Sequence, residues 1–97
     1  MKKSPFLTHV AEVMYQRHYV KKTIESYIYW IYRFICFHQK RHPAQMGDNE
    51  VELFLNYMVL KLDSAPSTQA SALNALVFLY KEIIKKPINI KLNFIKK

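Results

Sequence analysis

Lys21-Lys22-Thr23-Ile24-Glu25-Ser26-Tyr27-Ile28-Tyr29-Trp30-Ile31-Tyr32-Arg33-Phe34-Ile35 repeats apolar side chains at helical spacing, at Ile24, Tyr27, Ile28, Ile31, Phe34 and Ile35. That 3.6-residue period predicts a helix with a wide buried stripe, from about Lys21 to His38. Lys40, Arg41 and His42 follow at its end, where cations suit the negative pole of the helix dipole, and Pro43 stops it. A helix burying so broad a face needs partners, and the flanking sequence supplies three.

Upstream, Ser4 caps and Pro5 opens a helix reaching about Arg17, with Phe6, Val10, Val13 and Met14 on one face. Downstream, Asp48 is the expected N-cap of a helix from about Asn49 to Lys61. Glu50 and Glu52 lie near its positive end, and Val51, Phe54, Leu55, Met58 and Leu62 form its apolar face. A fourth helix runs from about Pro66 to Lys85. Its main stripe is Leu73, Leu76, Val77, Tyr80 and Ile84; Ala72, Ala75 and Leu79 widen it enough to predict burial on two sides. Pro87 ends this helix, and Ile88, Ile90, Leu92 and Phe94 alternate with polar residues as an extended docking segment would. No internal repeat, low-complexity stretch or interdomain linker interrupts residues 1–87. The expectation is one all-α domain over 1–87, four helices in a bundle-like orthogonal arrangement, with 88–97 starting a linker.

Ninety-seven residues, 51% hydrophobic and 14% aromatic, are enough for one modest core and too apolar for a disordered chain. The single glycine, Gly47, and four prolines mark few turns. Fifteen basic against seven acidic residues give a net charge of +8. Such charge predicts a polyanionic partner, nucleic acid before an anionic membrane surface. Cys36 is the only cysteine, which excludes an internal disulfide and fits a reducing cytosol. Met1-Lys2-Lys3 is not followed by the apolar stretch of a signal peptide, and the run Tyr27 to Tyr32 is too short to cross a bilayer. A soluble, cytoplasmic chain is expected.

Three stretches together resemble one family. Lys21-Lys22-Thr23-Ile24-Glu25-Ser26-Tyr27 leads into Phe34 and His38. His42-Pro43-Ala44-Gln45-Met46-Gly47-Asp48 follows. Thr68-Gln69 through Leu73-Asn74-Ala75-Leu76 to Phe78-Leu79-Tyr80-Lys81-Glu82 completes the set. In this order they resemble the amino-terminal region of tyrosine recombinases, specifically integron integrases, from about Phe6 to Pro87. The resemblance implies a SAM-like core-binding domain, half of a C-shaped clamp on DNA, with two helices crossing the major groove. It implies a separate catalytic domain carrying the tyrosine nucleophile, so this stretch would not be an enzyme alone. None of the seven tyrosines here lies in a segment resembling that nucleophile motif. The parent enzyme would act as a tetramer on duplex or folded single-stranded recombination sites, this stretch alone being monomeric.

The candidate DNA contacts divide into groups. Lys21, Lys22 and Thr23 open the second helix, where free backbone N–H groups beside lysines suit phosphate; the plain alternative is a solvated helix start. Arg33 lies off the main stripe beside Tyr29 and Tyr32, where it could serve a groove or a stacked base, or merely be exposed. Lys40 and Arg41 could reach the backbone or simply complement a helix end. Ser67, Thr68, Gln69, Ser71 and Asn74 form the polar side of the first half of the fourth helix, and such short donors suit a major groove. Lys81, Lys85 and Lys86 read as solvated charge. His38 and His42 have zinc-like spacing, but two cations lie between them with no third ligand nearby, so no metal and no cofactor is expected. Cys36 has no base partner and is no nucleophile candidate. The rival functions are a helical protein-interaction module and a membrane-surface protein; the second needs apolar stripes that the core already requires.

Overall fold

The computed structural model describes residues 4–88. It contains α1 (Pro5–Gln16), α2 (Lys21–Phe37), α3 (Asp48–Leu60) and α4 (Pro66–Phe78), and no strand among the described residues. A 3-10 turn, Pro43–Gln45, lies between α2 and α3, and α4 runs on into a π-helical turn, Leu79–Ile83. The all-α, four-helix expectation holds. α2 and α4 pack on each other, α1 packs on α2, and α3 packs on both α2 and α4. The tail from residue 89, and with it the extended-segment and linker expectations, lies outside the described residues; Ile88 packs against the core.

The starts follow the sequence closely. Ser4 Oγ accepts from the Leu7 backbone N–H at 3.1 Å, with Pro5 next to it. α2 begins at Lys21 behind Val20, which offers no side-chain cap, so the first-turn N–H groups have no side-chain acceptor from that residue. α3 differs. Its N-cap is Gly47 rather than Asp48, because Glu50 reaches back and its Oε1 accepts from the Gly47 N–H at 2.8 Å. That N–H is the main reason the Glu50 carboxyl sits below the ordinary carboxylate range.

With one glycine available, the helix ends use other residues in the left-handed region. His18 has φ 65° and Gln39 φ 60°. After α1, the Tyr19 N–H bonds Met14 O; after α2, the Lys40 N–H bonds Ile35 O. Both are the six-to-one closure of a Schellman end with the usual glycine replaced.

The core holds Leu7, Val10 and Met14 of α1, Ile24, Ile28, Ile31 and Phe34 of α2, and Val51, Phe54, Leu55 and Met58 of α3. α4 is buried on two sides as expected, through Ala72, Leu73, Ala75, Leu76, Phe78, Leu79 and Tyr80. Two assignments shift. Val77 is exposed, and Phe78, three residues after the buried Ala75, takes the inner position against the rings of Tyr19 and Tyr27. Leu62 is exposed because α3 ends at Leu60, before the period reaches it.

The stretch His42 to Asp48 is tied down from several directions. Tyr80 is fully buried and its hydroxyl donates to Pro43 O at 2.8 Å, and burial raises the phenol pKa. His38 Nε2 lies 2.8 Å from Glu50 O, and Arg41 donates to Gln45 O at 2.9 Å. Tyr80→Phe keeps the ring and orphans the Pro43 carbonyl. We expect a loss of about 1–2 kcal/mol, read from urea unfolding, with an unchanged m-value.

Candidate nucleic-acid interface

A shallow open groove of about 300 Å³ runs between α2 and α4. Lys22, Thr23, Ser26 and Tyr27 line it from α2, and Ser71 and Asn74 from α4. Its walls are set by the period of each helix. On α2, Ile24, Ile28 and Ile31 turn inward, which turns Lys22 and Ser26 outward. On α4, Ala72, Leu73 and Leu76 turn inward, which leaves Ser67, Ser71 and Asn74 exposed. Tyr27, which lines the groove, packs on Phe78 with ring centroids 5.6 Å apart, and Tyr19 packs on the same Phe78 ring at 5.6 Å. Burial, aided by Tyr19, pushes the Tyr27 phenol above its ordinary value, so its hydroxyl stays neutral at physiological pH.

The groove therefore brings together four of the residues singled out in the sequence: Lys22, Thr23, Ser71 and Asn74. Ser67 is exposed and Thr68 half-buried at the start of α4. Ser26 and Tyr27 were not singled out for the site. For Ser26 the signal was its i+4 spacing from Lys22; Tyr27 was read only as core.

Other candidates fall elsewhere. Lys21 lines a separate cavity between α1 and α2. Lys40 and Arg41 border another, with Phe6, Cys36 and His42. Arg41 is also engaged at home, with its Nη1 3.6 Å from a Glu50 carboxylate oxygen. His42 Nδ1 accepts from the Ala44 N–H at 3.0 Å.

Gln69 requires a correction. It was expected on the exposed polar side of α4, and it is fully buried. Its positions relative to Ala72, Leu73 and Leu76 put it on the inner face. There its Nε2 donates to Ser64 O at 2.7 Å, tying α4 to the loop before it. Its Oε1 has no hydrogen-bond partner. Gln69→Ala should cost about 2–3 kcal/mol from lost packing and the orphaned Ser64 carbonyl. Urea unfolding measures this, and a loss under about 0.5 kcal/mol would contradict the buried placement.

Charge is distributed unevenly around this groove. Residues 48–63 hold four of the seven acidic residues, Asp48, Glu50, Glu52 and Asp63, against one lysine, Lys61. The rest of the chain carries fourteen basic residues against three acidic. No residue of 48–63 lines the groove.

Residues 6–90 match the family model of the phage integrase N-terminal SAM-like domain. The chain belongs to the phage integrase family. Two curated relatives agree, each named integrase/recombinase, from Escherichia coli and Pseudomonas aeruginosa. Each is 40% identical over 67 residues, which make up 69% of this chain and 20% of the relative. The match thus spans about a fifth of the length of these relatives, and the family model that the chain fits is that of the integrase N-terminal SAM-like domain. No helix among the described residues of this integrase domain is long and apolar enough to cross a membrane.

Proposed function

We propose that this is a non-catalytic DNA-binding domain, the core-binding half of a site-specific recombinase, gripping duplex DNA along the α2–α4 groove. The observation that carries the proposal is the groove itself: a lysine, a free helix start and short polar side chains from two helices on one surface, in the basic part of the chain. The start of α2 offers backbone N–H groups and Lys22 to a phosphate. Thr23, Ser26, Ser71 and Asn74 offer donors and acceptors to phosphate oxygens or base edges. Affinity then comes mainly from phosphate contacts and falls with salt.

The three quoted stretches support an integron-type parent acting on duplex or folded single-stranded sites. Residues 1–87 form the binding unit, and 88–97 begin the connection to the catalytic domain. Assembly as a tetramer belongs to the parent. A protein-docking reading attaches to a different surface, α3, where Leu53 and Leu60 are exposed on the acidic helix.

The direct test is binding of the chain to a duplex carrying an integron recombination site and to a scrambled duplex, over a salt series. The expected result is a linear fall of log K with log salt of about 0.9 per phosphate contacted, with the true site preferred. No binding to either duplex at low salt would overturn the reading.

A further inference from the structure

Along the outer crest of α2, Lys22, Ser26, Tyr29 and Arg33 follow one another at i, i+4, i+7 and i+11. They form a single line down the helix, about 16 Å long at 1.5 Å per residue. The first two residues line the groove; the last lies near the opposite end of the helix.

Arg33 is held unlike the other cations on this surface. Its Nη1 donates to the Tyr29 hydroxyl at 2.7 Å. Its guanidinium carbon lies 5.6 Å from the Tyr29 ring centroid and 6.0 Å from that of Trp30. The two rings are themselves packed edge to face, 4.9 Å apart, forming a ledge. Arg17 pairs with Glu82 and Arg41 with Glu50, whereas Arg33 meets no carboxylate among the described residues. The guanidinium is therefore fixed by a phenol and two aromatic faces, with full charge and its remaining N–H groups uncommitted.

A phosphate contact needs only charge within reach, which flexible lysines supply. A planar fork held in one orientation matters where two acceptors must be met at once, as on the O6 and N7 edge of guanine in the major groove. Fixing the side chain in advance also reduces the entropy lost on binding. We propose that Arg33 is a base-reading residue of this domain. It donates to the O6 and N7 edge of a guanine in the major groove, and Tyr29 is its positioning residue. The inference rests on the DNA-binding reading above and adds to it a specific base and the residue that selects it.

The test is selection from a pool of randomised duplexes by the full chain and by Arg33→Ala, Arg33→Lys and Tyr29→Phe, each checked for an unchanged melting temperature. The wild-type chain should enrich one guanine column, and 7-deazaguanine there should weaken binding roughly tenfold. Arg33→Ala should erase that column and leave the other preferences in place. Arg33→Lys should keep the salt slope and lose the column, because an ammonium is no fork. Tyr29→Phe should keep the slope and weaken the column. Selection that enriches no guanine, or a guanine column unaffected by Arg33→Ala, would overturn the inference while leaving DNA binding intact. A slope that falls by about one in Arg33→Ala with base preferences unchanged would make Arg33 a phosphate contact. Absence of any duplex binding by the wild-type chain at low salt would overturn the DNA-binding reading itself, and this inference with it.

Discussion

Lys22→Glu combined with Asn74→Asp lowers affinity for duplex DNA on the order of 100-fold at about 0.1 M salt, and the folded domain stays as stable as before. The size follows from counterion release. Each phosphate contact adds about 0.9 to the dependence of log K on log salt. The pair removes one such contact and puts two carboxylates where phosphates are to lie. The two residues sit on opposite walls of the same groove, one on α2 and one on α4. Stability is spared for separate reasons. Lys22 is exposed in the first turn of α2, where a glutamate suits the positive end of the helix dipole. Asn74 is exposed in α4, and aspartate there differs little in helix propensity. Fluorescence anisotropy with a labelled duplex measures the affinity and thermal melting measures the fold. Leu60→Glu, on exposed α3, is the matching control and should change affinity little. A double variant that binds as the wild type does would remove the groove from the interface.

The largest expected effect on the fold is at Phe34. Phe34→Ala should cost about 3–5 kcal/mol, much of the whole stability of a domain of this size. The ring is fully buried where α2, α3 and α4 meet. Its centroid lies 5.8 Å from that of Phe54, 6.3 Å from Tyr80 and 5.2 Å from His38. Removing it opens a void that rigid helix contacts on three sides cannot easily close. It also loosens Tyr80, which holds the Pro43 carbonyl. At about 4–8 °C per kcal/mol for a domain of this length, the melting temperature should fall by roughly 12–40 °C. Val77→Ala, on the exposed side of α4, should shift it by only a few degrees. A fall under about 5 °C for Phe34→Ala would contradict the packing described.

The elements were legible where the chain follows simple rules. Ser4-Pro5 and the broad stripe of α2 fixed two helices almost to the residue, since capping and a 3.6-residue period depend on local sequence. The misses turn on which side-chain partner a group finds, near or far along the chain. Gln69 looked like part of a polar face because its neighbours Thr68 and Ser71 are polar. Its own spacing to Ala72, Leu73 and Leu76 already put it inside, and the Ser64 carbonyl supplies what its amide needs. Val77 is exposed and Phe78 buried because Tyr19 and Tyr27 pack against the Phe78 side of α4, and an all-apolar run does not announce which of its members meets them. Asp48 lost the cap to Gly47 because Glu50 answers the Gly47 N–H from within the helix.

The candidate site was half legible. Charge and the two helix starts pointed to Lys22, Thr23, Ser71 and Asn74, but which cations share a surface is decided by packing. Lys21 turns toward α1, and Arg41 is drawn to Glu50. The support beneath Arg33 came from Tyr29 and Trp30, and only the side-chain geometry distinguishes that ledge from an incidental aromatic run.

The most direct test of the central claim is an amide chemical-shift map of the chain titrated with duplex DNA. The strongest changes should fall on Lys22, Thr23, Ser26, Ser71 and Asn74, continue along α2 to Arg33, and spare Leu53 and Leu60 on α3. Changes centred on α3, or spread evenly over the surface, would contradict that claim.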